Sequence, residues 1–143
     1  MHHPQSPRLG LVLSAATLML IGCGEPPEPA QVSFNGDVQP ILQTHCVDCH
    51  TPAEAGDADA DAGKGYRQSG LSMASYEALM DGTLNDGVRA PVVIPGSAIN
   101  SVLIQLVEGR ADPSLQMPHG DSKLADSEIA TLRAWVEQGA PDN

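Results

Sequence analysis

Five consecutive residues constrain this chain more than any others: Cys46-Val47-Asp48-Cys49-His50. Two thiols three positions apart, with a histidine directly after the second, are in the order that attachment of a c-type haem requires. Each thiol adds across one vinyl group of a porphyrin, and the next imidazole is placed to ligate the iron from one face. A chain that closes these three bonds must fold around a large planar body. Half of a structural zinc site is one rival reading, but such sites use four protein ligands in closed tetrahedral geometry, and no second Cys pair exists. A thioredoxin-like redox pair is the other. It belongs beside a βαβ pattern, and nothing strand-like flanks this segment.

The cysteine count supplies the context. Of the 143 residues only 3 are Cys. Residues 1–22 read as a lipoprotein signal peptide: His2, His3 and Arg8 give a polar, weakly basic start, and Leu9 to Ile21 is mostly apolar. That run is too short for a comfortable membrane span and has the length of a signal-peptide hydrophobic region. Leu20-Ile21-Gly22-Cys23 resembles a bacterial lipobox, in which the cysteine is acylated and becomes the mature N-terminus. The plainer alternative leaves Cys23 a stray thiol, a liability in an oxidising compartment. One thiol for lipid and two for haem thioethers leave none for a disulfide. The expectation is an exported lipoprotein, membrane-anchored through Cys23 on the periplasmic side of the cell envelope. Residues 23–34, with Pro26, Pro27 and Pro29 between glutamates, read as an extended tether, and 35–143 as one domain.

Charge narrows the partners. Lys and Arg number 7 against 18 Asp and Glu, for a net charge of −11, and loss of the leader removes only Arg8. So acidic a surface argues against nucleic acid, where clustered Lys and Arg neutralise phosphates, and suits a basic or neutral redox protein. Aromatic residues are 3% of the chain: Phe34, Tyr66, Tyr76 and Trp135. A buried haem would supply the large apolar body that so few aromatics do not.

Periodicity predicts helices and no convincing strand. A first helix starts near Gly36 or Asp37 and carries Val38, Ile41 and Leu42 on one face into the haem motif, with Pro40 tolerated in its first turn. Thr51 to Gly65 has four acids and no large apolar residue, and reads as a loop. Its Asp57-Ala58-Asp59-Ala60-Asp61 run alternates acids as a calcium loop does, but the glycine required next is Ala62 and the twelfth-position acid is Gln68, so a solvated acidic insertion is the better reading. Ser75 to Asp81 is a short helix capped by Ser75 and stopped by Gly82. Leu84 to Pro95 should be irregular or briefly extended. Ser97 to Glu108 is the next helix, with Ile99, Val102, Leu103, Leu106 and Val107 as its apolar stripe. Asp126 caps a last helix to Gln138, with Ile129, Leu132, Trp135 and Val136 inward. The fold class expected is all-α, with about four helices.

Iron that only exchanges electrons should have both axial positions filled by protein, and His50 fills one. Met117 is the choice for the other, because Leu115-Gln116-Met117-Pro118-His119-Gly120 is a helix-free segment that can present a side chain to a flat cofactor. Met80 sits at helical spacing and is read as core. Met73 is a weaker candidate, His119 is the sharper rival on the same loop, and His45 is tied to the His50 side.

Pro40-Ile41-Leu42, Cys46 to His50, Gly70-Leu71, Ser75 to Leu79, Pro95-Gly96, Ser101 to Leu103, Met117-Pro118, Glu128-Ile129 and Trp135 to Ala140 follow one another in an order that resembles a small mono-haem class I cytochrome c domain. The resemblance covers Pro40 to Ala140, and its specific parts are the haem motif and Met-Pro. It implies the class I cytochrome c fold wrapped around one covalent haem c, axial ligation by His50 and Met117, and electron transfer between a donor and an acceptor protein in the envelope. It implies no substrate chemistry and therefore no enzyme. The departures are the Asp57 to Asp61 insertion and His119, where the family often has proline or a small residue. The alternative function is a haem-based peroxidase or gas-binding sensor with a labile sixth ligand; a module without cofactor is a third, opposed by the intact motif.

Overall fold

The first and last of the described segments pack together in the core. In the computed structural model, which describes residues 30–54, 62–120 and 122–143, a wide turn at Phe34–Val38 runs directly into α1 (Gln39–His45). Ser33 caps it by accepting the Gly36 N–H on its hydroxyl at 3.1 Å, and Pro40 lies in the first turn of α1, where its missing N–H costs nothing. This segment packs against the last helix, α5 (Asp126–Glu137). Phe34, Val38, Leu42, Leu132, Trp135 and Val136 are all buried between them or beside them. Phe34, Tyr76 and Trp135 meet with ring centroids 5.2–6.4 Å apart, within the range of favourable edge and tilted packing. The buried Trp135 Nε1–H donates to the Pro141 carbonyl at 2.9 Å, and the Tyr76 hydroxyl to that of Ala140 at 3.0 Å. Three of the four aromatics are thereby spent in one cluster.

Between these ends the expectation of an all-α domain of about four helices is corrected. Among the described residues there are five α-helices and a two-stranded antiparallel sheet. The added helix is α2 (Lys64–Ser69), followed by α3 (Tyr76–Asp81). The added strands are β1 (Thr83–Asn85) and β2 (Val88–Ala90), paired Thr83 to Ala90, Leu84 to Arg89 and Asn85 to Val88. Their connection is Asp86-Gly87, with φ of 51° and 79°. Both positions need positive φ in a two-residue turn whose twist matches the strands, and Asp-Gly is a favoured pair there. Gly82 lets the hairpin close on α3: a Cβ at that position would lie 2.1 Å from the Ala90 carbonyl oxygen.

The helix expected over Ser97–Glu108 is interrupted. A single 3-10 turn (Ala98–Asn100) precedes α4 (Val102–Val107), and Ser101 between them is extended. Its hydroxyl is fully buried, accepting the Ile94 N–H at 2.8 Å and donating to the Ser97 carbonyl at 2.9 Å. The break rotates the stripe: Ile99 is 63% exposed, whereas Ile104 is fully buried. In α5 the N-cap is Ala125 rather than Asp126, and the Glu128 carboxylate accepts the Ala125 N–H at 2.8 Å. Met80 packs at the edge of the core beside the buried Leu79. No helix among the described residues is long and apolar enough to cross a membrane. The signal peptide, Cys23, most of the tether and the Asp57–Asp61 run lie outside the described residues.

Candidate cofactor site

Cys46 to His50 continues α1 by one more helical turn. The Cys46 N–H donates to the Leu42 carbonyl at 2.8 Å, and the His50 N–H to the Cys46 carbonyl at 2.8 Å. That curl brings both thiols and the imidazole to the wall of one cavity. The outer side of the turn is clamped by backbone alone. Gly63 N–H donates to the Asp48 carbonyl at 2.8 Å, Tyr66 N–H to that of Cys49 at 2.9 Å, and Met73 N–H to that of His50 at 2.7 Å. Three successive carbonyls of the motif are therefore held by residues from the segment that follows it. Here α2 finds its role: it buries no side chain of its own, is bounded by glycines at Gly63 and Gly70, and docks on the motif. Gly65 faces the His50 ring so closely that a Cβ there would lie 2.7–2.9 Å from three of its atoms.

The cavity has a volume of about 480 Å³, inside the roughly 300–1,000 Å³ of sites that enclose a small organic ligand. Its walls are mostly apolar. Leu71, Met73 and Val92 line one part, and α4 contributes Val102, Leu103, Leu106 and Val107. Lys64, Gln68, Ser69 and Thr83 supply polar groups along α2 and β1. Met117, Pro118 and His119 enter from the loop between α4 and α5. That loop is tied back to α4 by the Met117 N–H on the Leu106 carbonyl at 3.1 Å and by the Gln116 amide on that of Val107 at 3.3 Å. Lys123 Nζ–H donates to the Pro118 carbonyl at 3.0 Å.

Burial pushes the Cys46 thiol up to about 12, with the neighbouring Cys49 and Glu128 adding to the shift. Cys46 is thus a neutral thiol, unlike the low-pKa thiolates of redox-active pairs. Cys49 is exposed, and neither thiol is in a disulfide. Burial holds the His50 imidazole below its ordinary value; the Leu71 carbonyl opposes this and positive charge on His119 reinforces it. His50 Nδ1 and Thr51 Oγ1 are buried without hydrogen-bond partners. Such atoms are uncommon in folded proteins and mark places where a ligand, a water or a bound group completes the structure.

Cys46, Cys49, His50 and Met117 therefore line one cavity, as do the rival donors Met73, His119 and His45. Met80 is not among the lining residues. His45 Nε2 lies 3.0 Å from Glu128 Oε1, tying it to α5. Met73 is bound through its N–H to the His50 carbonyl, which sets it beside the motif. The donors of the backbone clamp carry no pattern that the sequence reading could use. Among the described residues no three His, Cys, Asp or Glu side chains converge as on a single ion. Comparison with family models, with curated proteins and with solved structures finds no match for this chain.

Proposed function

We propose that this protein is an electron carrier that holds one covalent haem c in the cavity beside α1. The observation that carries the proposal is the shared wall: two thiols and an imidazole in attachment order line a mostly apolar cavity that Met117 lines as well. Donors spread along a cavity suit a planar macrocycle, whereas a zinc ion needs them drawn to a point. Cys46 and Cys49 would form the thioethers. His50, packed on Gly65, and Met117 would be the residues that ligate the iron. Bound haem supplies one-electron exchange at its iron.

The chain's own part is to hold the site still and dry. The backbone clamp on residues 48–50 fixes His50 from behind, so a change of oxidation state need not move it. Leu103, Leu106 and Val107 keep one wall apolar, which disfavours charge and so favours the reduced site, as does a thioether donor relative to a second imidazole. Mononuclear carriers of this kind work between a donor and an acceptor protein, and the charge of −11 favours a basic or neutral partner. We place the protein on the outer side of a bacterial inner membrane or the periplasmic side of the envelope, tethered through acylated Cys23; this rests on residues 1–23 as sequence.

An optical spectrum of the purified protein, before and after dithionite, tests the reading. Covalent haem that survives acid-acetone extraction, a low-spin spectrum in both states and slow binding of carbon monoxide to the ferrous form are expected. Protein that matures in a haem-attaching host without covalent haem would overturn it. Prompt carbon monoxide binding would instead favour the peroxidase or sensor alternative.

A further inference from the structure

We infer that His119 is a second residue able to hold the distal position, so that the loop over residues 116–120 offers two donors, the Met117 thioether and the His119 imidazole, to one site. The inference rests on the haem reading above. Both side chains line the cavity that His50 lines, and only Pro118 separates them. Their attachments differ. Met117 is tied by its N–H to the Leu106 carbonyl, and the last anchor along the loop is the Pro118 carbonyl, held by Lys123. Beyond it His119 is exposed and has no hydrogen bond or ion pair among the described residues.

The following Gly120 turns the backbone at φ of 82°, with no atom within 4 Å of where a Cβ would stand. The His119 end of the loop is therefore uncrowded, whereas the Met117 end is hydrogen-bonded to α4. The remaining candidates line the same cavity but are tied on the His50 side: Met73 through its N–H to the His50 carbonyl, and His45 through Nε2 to Glu128. Met117 is thus the resting donor and His119 the reserve. Their exchange would break one bond from a neutral sulfur and form one from a neutral nitrogen, with no electron and no proton transferred. It would cost the Met117 N–H bond to Leu106.

Four full-length proteins test this: the unaltered chain, Met117→Ala, His119→Ala and the double variant. Met117→Ala should lose the long-wavelength iron–sulfur band of the ferric protein, yet stay low-spin and bind carbon monoxide slowly. The double variant should lose the low-spin spectrum and bind carbon monoxide at once. His119→Ala should retain the resting spectrum. A Met117→Ala protein that is already high-spin, and as quick with carbon monoxide as the double variant, would overturn the inference. So would a resting spectrum altered by His119→Ala alone. Met117→Leu, with and without His119→Gln, repeats the comparison at conserved volume if the alanine variants fold poorly. Absence of covalent haem from the unaltered chain would defeat the haem reading instead, before any variant is compared.

Discussion

Gly65→Ala is the sharpest test of how His50 is held. Gly65 is inside α2 with an ordinary helical backbone, so alanine should by itself stabilise the helix by about 0.5–1 kcal/mol. Against this stands the His50 ring, three of whose atoms would lie 2.7–2.9 Å from the new Cβ. Relieving an overlap of that size in packed surroundings costs about 1–3 kcal/mol, because neither side can give freely. The ring cannot simply turn away if its other nitrogen is bound to iron, and α2 cannot retreat without stretching the Tyr66 and Gly63 bonds to the motif. The net effect is a loss of up to roughly 2.5 kcal/mol, or a melting temperature lower by up to about 10 °C at about 4 °C per kcal/mol for a domain of this size. Gly36→Ala is the control: its Cβ would meet only the Ser33 side chain, at an ordinary 3.4 Å. Thermal unfolding of the haem-loaded proteins, with optical spectra of each, gives the reading. If Gly65→Ala proves as stable as Gly36→Ala, with an unchanged spectrum, the ring is not pressed against α2 and the account of the His50 wall fails.

Replacing Cys46 and Cys49 together by Ala should abolish covalent haem; hydrogen exchange should then show α2 and the hairpin opening well before α1 and α5, and uniform protection would count against this division. Glu108 should show a pH signature. Partial burial opposes its ionisation, but hydrogen bonds from Arg110 and Arg133 outweigh it and hold the carboxyl below its ordinary 4.5. Its stabilising contribution, about 0.5–1 kcal/mol for a network whose arginines are exposed, is present above 4.5 and lost as pH falls through the lowered value, so Glu108→Gln should be less stable at pH 7, with a deficit that shrinks as pH falls below 4.5 in urea titrations. Cys23→Ser should move the protein from the membrane to the soluble fraction with haem intact; membrane association that persists would remove the lipid assignment.

Elements were legible where burial and capping coincide. Leu79 on α3, between the Ser75 cap and the Gly82 stop, and Leu132, Trp135 and Val136 on α5 satisfy helical spacing and a terminal signal together. The hairpin was not read, because Leu84 and Val88 are exposed and alternate with polar residues over only three positions a strand. Its signal is Asp86-Gly87, inside the stretch from Leu84 to Pro95 expected to be irregular or briefly extended. The helix over Ser97–Glu108 was read through a serine that ends one turn and starts another. A small hydroxyl is compatible with a helix interior by composition, and only the buried partners of Ser101, at Ile94 and Ser97, require the break.

The site divides along a different line. Cys46, Cys49, His50 and Met117 would act through side chains in the proposed chemistry, and chemistry of that kind leaves a residue signature. What holds them acts through the main chain: the donors to residues 48–50 are the N–H groups of Gly63, Tyr66 and Met73, and any residue but proline could provide them. A polar helix without apolar spacing is therefore read as loop, although it is the backing of the motif. Gly65 is the exception that could have been found. Gly65 is the second residue of α2, where glycine is less favourable than alanine, so its presence between Lys64 and Tyr66 asks what approaches it. The answer is the imidazole on which the proposed chemistry depends.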